Sequence, residues 1–228
     1  MSSTTKLAVR SLGSMLFGLV FFGVALFVPA WTFHYWQAWL FIGVFMVSTL
    51  GPSLYIAVRY PEALQRRLHG GPTAETRPAQ RIAITAIVGS VVALLVVSAL
   101  DHRFGWSRVP LPVIAVGCVM VFAGLTFAQV VIIQNNYAAA NITVEQGQAL
   151  VSTGLYGVVR HPMYSGTLIM MLGTPLALDS FWGLLILIPA LAALAMRIGD
   201  EEKMLTEELS GYREYLDQVR YRLVPHVW

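Results

Sequence analysis

A short stretch of this chain sets polar and aromatic side chains directly against a long apolar segment. It runs from Gly154 to Gly166 and reads GLYGVVRHPMYSG. Where the last apolar region ends, an arginine and two glutamates follow: Arg197, Glu201 and Glu202. Charged and imidazole groups are costly beside hydrocarbon, so they usually mark a functional site or an interfacial anchor. We therefore take these two segments as the candidate site.

The residue types in the two segments suit the binding of a polar or cationic ligand. Tyrosine faces attract a cation by roughly 0.5–2 kcal/mol. The carboxylate of Glu201 can accept hydrogen bonds, and His161 can donate one. Each residue alone has a plainer interpretation: Arg197 and Glu201, four residues apart on one helix face, could be a simple ion pair. The combination is more specific than any single member.

The composition identifies an integral membrane protein. Of the 228 residues, 57% are hydrophobic and 12% are charged, and the mean hydropathy is +0.66. Four windows hold no Asp, Glu, Lys or Arg: 11–58, 82–100, 109–144 and 180–196. A membrane-spanning helix needs about 20 apolar residues, and several of these windows supply that length.

The apolar windows also predict where the helices lie. Pro29 and the aromatic residues after it read as an interfacial turn that divides the first window. We expect helices at about 11–28, 36–58, 81–100 and 111–133.

The last apolar region, 167–196, is too long for one ordinary helix. It is interrupted by Pro175 and then by Asp179 and Ser180, either of which could cap a second helix. We therefore predict two short helices that form a hairpin. The whole chain is then an all-α integral membrane protein with about five to six transmembrane helices.

The composition changes after Ile198, and the following segment predicts a cap on the membrane domain. Seven of the twelve acidic residues lie from Asp200 onward, beside apolar residues at helical spacing. Those apolar residues are Met204, Leu205, Leu209, Tyr212, Tyr215, Leu216 and Val219. We expect one or two cytoplasmic amphipathic helices, with Gly211 as the break between them.

The basic residues predict the orientation, because Arg and Lys in short loops stay on the cytoplasmic side. They precede the first predicted helix, fill the loop between the second and third, and follow the last: Lys6, Arg10, Arg59, Arg66, Arg67, Arg77, Arg81, Arg197, Lys203, Arg213, Arg220 and Arg222. Both termini are therefore predicted to be cytoplasmic, in the inner membrane if the protein is prokaryotic. Positive loops at lipid headgroups explain the net charge of +3 without a nucleic-acid partner. No obligate protein partner is evident.

The motifs resemble those of the isoprenylcysteine carboxyl methyltransferase family of membrane methyltransferases and of the related phospholipid methyltransferases. The family pattern TGxYxxxRHPxYxG is matched by residues 153–166, and RxxxEE by residues 197–202. The later GxxYxxY element with its terminal proline looks matched between Gly211 and Pro225. The resemblance covers about 135–225 and divides the chain into N-terminal transmembrane helices, 1–133, and a methyltransferase core, 134–228.

The resemblance implies a cofactor, S-adenosylmethionine, bound between the membrane helices and the cytoplasmic tail. It assigns cofactor contacts to Gln148, Ala149, Leu150, Val151, Tyr156, His161, Pro162, Met163, Tyr164 and Glu201. It also implies that Arg197 faces the substrate. No GxGxxG motif follows a strand pattern, which excludes a soluble Rossmann-type methyltransferase.

The identity of the methyl acceptor stays open at the level of sequence. We expect a lipophilic acceptor that enters from the bilayer among the membrane lipids, with a carboxylate favoured, since Arg197 could bind an anionic end. A carboxylate needs no general base, whereas a lipid amine or a small thiol would need one, and His161 and Glu202 are the candidates.

Two other classes of function compete with methyl transfer. Membrane reductases of the sterol type have a similar C-terminal arrangement and use NADPH, but RHPMY followed by the glutamate pair favours methyl transfer. A transporter or scaffold should show polar residues in several spans or inverted repeats. The polar residues here gather instead at one face of the membrane domain.

Overall fold

The computed structural model describes residues 3–68, 75, 77–135, 137, 143–144 and 147–228, except the side chains of 3–12, 14–15 and 65–68. Every regular element in this part of the chain is helical, so the predicted all-α membrane fold is confirmed. Four of the basic residues used to predict the orientation lie outside the described side chains: Lys6, Arg10, Arg66 and Arg67.

Eight α-helices and two 3₁₀ turns follow one another along the described chain. The helices are α1 (Ser3–Ala30), α2 (Trp36–Arg59), α3 (Pro61–Leu68), α4 (Pro78–Phe104), α5 (Leu111–Gln134), α6 (Pro162–Ala177), α7 (Leu187–Glu208) and α8 (Tyr212–Gln218). The 3₁₀ turns are Gly154–Gly157 and Trp182–Ile186. Four units are long and apolar enough to cross a membrane: α2, α4, α5 and Trp182–Glu208, and Leu16–Ala30 adds a shorter apolar segment. These helices lie where the hydropathy windows predicted spans.

Helices α5 and α6 approach each other through glycines. A Cβ on Gly124 would lie 2.5 Å from the carbonyl oxygen of Gly166, and one on Gly117 would lie 2.8 Å from that of Gly173. The earlier glycine of α5 contacts the later glycine of α6, so the two helices are antiparallel. Small residues at such contacts let helix backbones approach closely in a membrane. The close approach fixes the first turn of α6, which carries the RHPMY motif, against α5.

Helix α7 packs antiparallel to α4. Leu94 near the end of α4 packs with Leu187 and Ala190 at the start of α7, and Gln80 at the start of α4 contacts the Arg197 backbone. The predicted pair of helices after residue 167 is therefore present as α6 and α7. Each of the two packs chiefly on a different partner, α6 on α5 and α7 on α4.

The turn between α6 and α7 is tied to the neighbouring helix ends by buried polar groups. The Tyr35 hydroxyl donates to the carbonyl oxygen of Leu178, and the Asp179 carboxylate accepts from the Gln37 amide at 2.9 Å. The Ser180 hydroxyl donates to the buried Asp101 at 2.6 Å. Ser180 also accepts the N–H of Gly183 at 3.0 Å, within the 3₁₀ turn. Neither Asp179 nor Ser180 caps α7, which begins after Ile186 without a side-chain cap, because the 3₁₀ turn lies between them.

The change in composition at Ile198 does not interrupt the helix. Helix α7 continues to Glu208 as one element that leaves the apolar region. The break falls instead at Gly211, which has a φ of +81°, a left-handed conformation that glycine adopts without a steric penalty. Helix α8 follows, and its buried residues Tyr212 and Tyr215 pack against Leu209. The predicted break at Gly211 between two helices is confirmed.

Candidate functional site

The first site segment is anchored to the end of α5. The Gln134 amide donates to the carbonyl oxygen of Thr153 at 2.7 Å and accepts the N–H of Leu155 at 3.2 Å. Gly154 lies between these contacts with a φ of +61°, and a Cβ there would overlap the Gln134 amide. Both the backbone conformation and the close approach require glycine. The 3₁₀ turn that follows presents Tyr156.

The RHPMY segment is fixed by the chain that follows α8. The N–H of Arg160 donates to the carbonyl oxygen of Tyr221, and the N–H of His161 donates to that of Arg222, both at 2.9 Å. Helix α6 then begins at Pro162, whose restricted φ and missing N–H suit the first helical position. The segment is therefore held by backbone bonds on one side and by the α5–α6 contact on the other.

The Glu202 carboxylate contacts three side chains that carry a positive charge or can accept a proton. Its Oε1 atom lies 2.7 Å from Arg160 Nε and 3.2 Å from His161 Nε2, and its Oε2 atom accepts from Arg222 Nε at 2.9 Å. The Glu202 side chain is 9% exposed. Because these partners hold the carboxylate, the geometry does not support the predicted role of Glu202 as a base. It positions His161 and secures the C-terminal tail.

Tyr164 joins the two site segments. Its hydroxyl donates to Glu201 Oε2 at 2.7 Å and accepts from Arg197 Nε at 3.0 Å. The His161 ring stacks on Tyr164 with the ring centroids 5.6 Å apart. Arg197 and Glu201 thus meet through the tyrosine hydroxyl, rather than as the simple ion pair that their spacing allowed.

Arg197 is surrounded by residues that are distant in the sequence. Its Nη1 atom donates to Gln80 Oε1 at 3.2 Å, and its Nη2 atom lies 2.9 Å from Glu75 Oε1. The Gln80 amide also donates to Asp200 at 2.7 Å, and Arg77 donates to both Asp200 oxygens. The hydrogen bond to Asp200 raises the pKa of Arg77. The start of α4 thereby fixes the guanidinium of Arg197, which is only 4% exposed.

A cavity of about 940 Å³ connects these groups with the interior of the helical bundle. Its first part, the polar chamber, is lined by Gln148, Ala149, Leu150, Val151, Tyr156, His161, Pro162, Met163, Tyr164, Arg197 and Glu201. Its second part, the apolar arm, is lined chiefly by Phe22, Phe41, Phe45, Ile84, Ile87, Val91, Leu95, Leu125, Ile132, Met170 and Thr174. The structure therefore brings every predicted site residue except Glu202 to one cavity.

The chamber contains a buried hydroxyl without a partner among the described residues. Tyr212 is 3% exposed and lines the cavity, and its hydroxyl makes no hydrogen bond. The nearby Tyr215 hydroxyl, by contrast, donates to the Tyr156 carbonyl oxygen at 2.6 Å. Burial, and after it the charge of Glu202, raises the pKa of Tyr212. The phenol stays protonated, and it has a hydrogen bond to offer to a ligand.

Sequence reasoning missed several residues that shape the site. Glu75, Gln80 and Asp200 fix Arg197, and Tyr212 contributes the free hydroxyl. Glu75 and Gln80 lie more than a hundred residues from Arg197 in the chain, so no local spacing could indicate the contact. For Tyr212 the only signal was its place among the apolar residues at helical spacing after Asp200.

Residues 112–213 match the family model of the phospholipid methyltransferases. The match covers α5, both site segments and α7, which is less than half of the 228-residue chain. It begins earlier than the motif resemblance and includes the helix on which α6 packs. No curated protein matches the chain. The match confirms the relation predicted from the motifs: residues 112–213 are similar to the phospholipid methyltransferases, a family related to the isoprenylcysteine carboxyl methyltransferases.

Proposed function

We propose that the protein uses S-adenosylmethionine to methylate a carboxylate on a lipophilic acceptor taken from the membrane. The observation that carries this proposal is the single cavity in which a chamber of polar and aromatic groups continues into an apolar arm between the helices. A volume of about 940 Å³ is at the upper end of the roughly 300–1,000 Å³ usual for ligand sites. It can hold a cofactor together with part of an acceptor.

The residues of the chamber fit S-adenosylmethionine. Tyr156 and Tyr164 offer aromatic faces to a sulfonium cation, and Glu201 offers a carboxylate to an ammonium group or to ribose hydroxyls. The buried Tyr212 hydroxyl, which has no partner among the described residues, supplies a donor. Buried polar groups are normally satisfied, so this hydroxyl supports a ligand in the chamber.

The chemistry requires positioning more than proton transfer. S-adenosylmethionine supplies a methyl group on a sulfonium cation, which is transferred by in-line displacement. Glu202, His161 and the bonded tail residues hold the chamber wall rigid, and preorganised geometry of this kind lowers the barrier. The C-terminal tail also covers the RHPMY segment and so helps to exclude water.

The surroundings of the candidate bases favour a carboxylate acceptor over an amine. His161 has Nε2 on Glu202 and Nδ1 at 3.9 Å from Glu201, and Glu202 lies outside the cavity wall. A carboxylate is already ionised and needs neither of them as a base. Its anionic end would meet Arg197, where the Glu75 carboxylate lies in the structure, and would share or replace that contact.

The same proposal includes the orientation of the protein in the membrane. We place the chamber and both termini on the cytoplasmic side, because Arg59, Arg77 and Arg81 flank the chamber end of the helices. The acceptor would then enter laterally between helices, since an amphiphile is already concentrated in the bilayer.

Cofactor binding tests the proposal most directly. Isothermal titration calorimetry on the purified protein should show binding of S-adenosylmethionine and its demethylated product, and no binding of NADPH. Glu201→Ala and His161→Ala should each weaken binding about tenfold or more, as expected for lost bonds to charged groups. Glu208→Ala, at an exposed position of the same helix, is the matched control and should bind normally. Binding of NADPH alone would replace the proposal with a reductase.

The product of methyl transfer tests the acceptor. With a panel of lipophilic carboxylates, amines and thiols and a cofactor carrying a labelled methyl group, we expect label in a base-labile ester. Label that resists base would move the assignment to an amine or a thiol.

The unpartnered hydroxyl makes a separate prediction. Tyr212→Phe should leave the thermal stability of the ligand-free protein unchanged or higher, because an unsatisfied buried hydroxyl costs about 1–3 kcal/mol. It should also weaken S-adenosylmethionine binding about fivefold. Tyr215→Phe, which breaks the bond to Tyr156, should instead lower the stability by about 1 kcal/mol. Unchanged cofactor affinity in Tyr212→Phe would remove Tyr212 from the site.

A further inference from the structure

The apolar arm of the cavity follows several helices over a considerable length. On α4 its wall runs from Ile84 to Leu95, eleven residues that rise about 16 Å. On α6 it runs from Thr167 to Thr174, which gives about 10 Å. Since the hydrocarbon core of a bilayer is about 30 Å thick, the arm is no longer than about one leaflet.

The wall of the arm is largely apolar. The threonines that line it each donate the hydroxyl to their own helix: Thr49 to the Phe45 carbonyl, Thr167 to that of Met163 and Thr174 to that of Met170. Gln129 also lines the cavity, on α5 between Leu125 and Ile132 and five residues before Gln134 at the chamber end of that helix. The part of the arm beyond Gln129 therefore fits a hydrocarbon tail.

The end of the arm distant from the chamber is closed by the core. The ring of Phe22 lies 5.5 Å from that of Phe41 and 4.6 Å from that of Phe45, centroid to centroid. Leu95 is 1% exposed and belongs to the same cluster, which also contains the fully buried Leu178. A tail that entered from the chamber would meet packed side chains rather than open membrane.

We infer that the arm limits the length of the acceptor's hydrocarbon tail. Phe22, Phe41 and Leu95 close its distant end and form the stop. The ligand is an amphiphile with an anionic head at the chamber and one hydrocarbon tail no longer than a leaflet. The inference rests on the proposed function for the identity of the head group. Its length limit depends only on the walls of the arm.

The physical basis of the limit is exclusion rather than attraction. Lipid tails already surround the acceptor in the membrane and are as apolar as the arm, so each added methylene gains little on entry. A tail that exceeds the arm must bend or displace close-packed core side chains, which is costly. We therefore expect affinity that varies little with tail length up to a limit and then falls at least about tenfold.

Two substitutions in α4 should move this limit in opposite directions. Leu95→Ala removes part of the stop and should shift the fall in affinity to longer tails. Val91→Phe places a ring one helical turn nearer the chamber, about 6 Å, and should shift it to shorter tails. Leu94→Ala is the matched control for the first, since Leu94 is equally buried but packs toward α7. Val88→Phe, at an exposed position of α4, is the control for the second.

The measurement is the binding of saturated carboxylates, from short to longer than a leaflet, to the protein in lipid nanodiscs, with concentrations expressed per lipid. S-adenosylmethionine binding is measured on the same preparations. A limit in tail length that moves as described supports this inference even if S-adenosylmethionine fails to bind. Failure of the cofactor to bind would overturn the proposed function alone. The inference is overturned, even if methyl transfer is observed, if the limit in tail length stays fixed in both Leu95→Ala and Val91→Phe. It is also overturned if the parent protein shows no such limit.

Discussion

Glu202→Gln is expected to be the most destabilising single change of charge in the C-terminal half of the protein. The carboxylate lies against Arg160, His161 and Arg222, and the residue is buried. Removing its charge leaves two guanidinium groups close together without their counter-ion. Loss of one partner from a buried ion pair costs about 3–5 kcal/mol. Because Arg222 also anchors the tail on the RHPMY segment, the variant should lose cofactor binding together with stability.

The thermal unfolding of the purified variant measures this effect. Glu208→Gln makes the same chemical change at an exposed position of the same helix and should change the stability by no more than about 0.5 kcal/mol. If Glu202→Gln unfolded at the temperature of Glu208→Gln, the carboxylate would not hold the site together. In that case Glu202 would again be available as a base.

Gly124→Ala is expected to separate α5 from α6. A Cβ at this position would lie 2.5 Å from the carbonyl oxygen of Gly166 and 2.6 Å from the N–H nitrogen of Met170. Both contacts are with backbone, which cannot move aside as a side chain can. Overpacking of this kind costs about 1–3 kcal/mol and occasionally more. We also expect weaker cofactor binding, because His161 immediately precedes α6 and Tyr164 lies in its first turn.

Gly89→Ala provides the matched comparison in another membrane-spanning helix. A Cβ on Gly89 would meet no atom within 4 Å, and alanine is favoured over glycine in a helix by about 1 kcal/mol. Its thermal stability should therefore equal or exceed that of the parent protein. Equal stability of the two alanine variants would mean that α5 and α6 do not depend on the close approach.

The membrane helices could be predicted from sequence because the signal is local. Uncharged windows such as 109–144 depend only on residues near in the chain, and α5 and the start of α2 lie where those windows placed them. The predicted turn at Pro29 begins instead at Trp31, because α1 continues through Pro29 to Ala30. The site motif was equally visible, since His161 and Tyr164 lie within four residues of each other. The structure places these residues and Glu201 at one cavity.

The role of Glu202 and the environment of Arg197 could not be predicted in the same way. Arg197 depends on Glu75 and Gln80, which reach it because α4 runs antiparallel to α7. Glu202 depends on Arg222, which returns from the far side of α8. Sequence spacing on one helix indicated which groups shared a face. It gave no information about which partners the fold would bring to that face.

The contacts between helices at the two ends of the bundle differ in their exposure to water. At the end distant from the chamber, Tyr35, Asp101 and Ser180 are fully buried, and their hydrogen bonds tie the helix ends together. At the chamber end, α4 and α7 are joined by the ion pair of Arg77 with Asp200, whose side chains are 30% and 17% exposed. Amide hydrogens are therefore expected to exchange faster at the chamber ends of α4 and α7 than at the buried end, because exposed contacts open locally at a lower free energy.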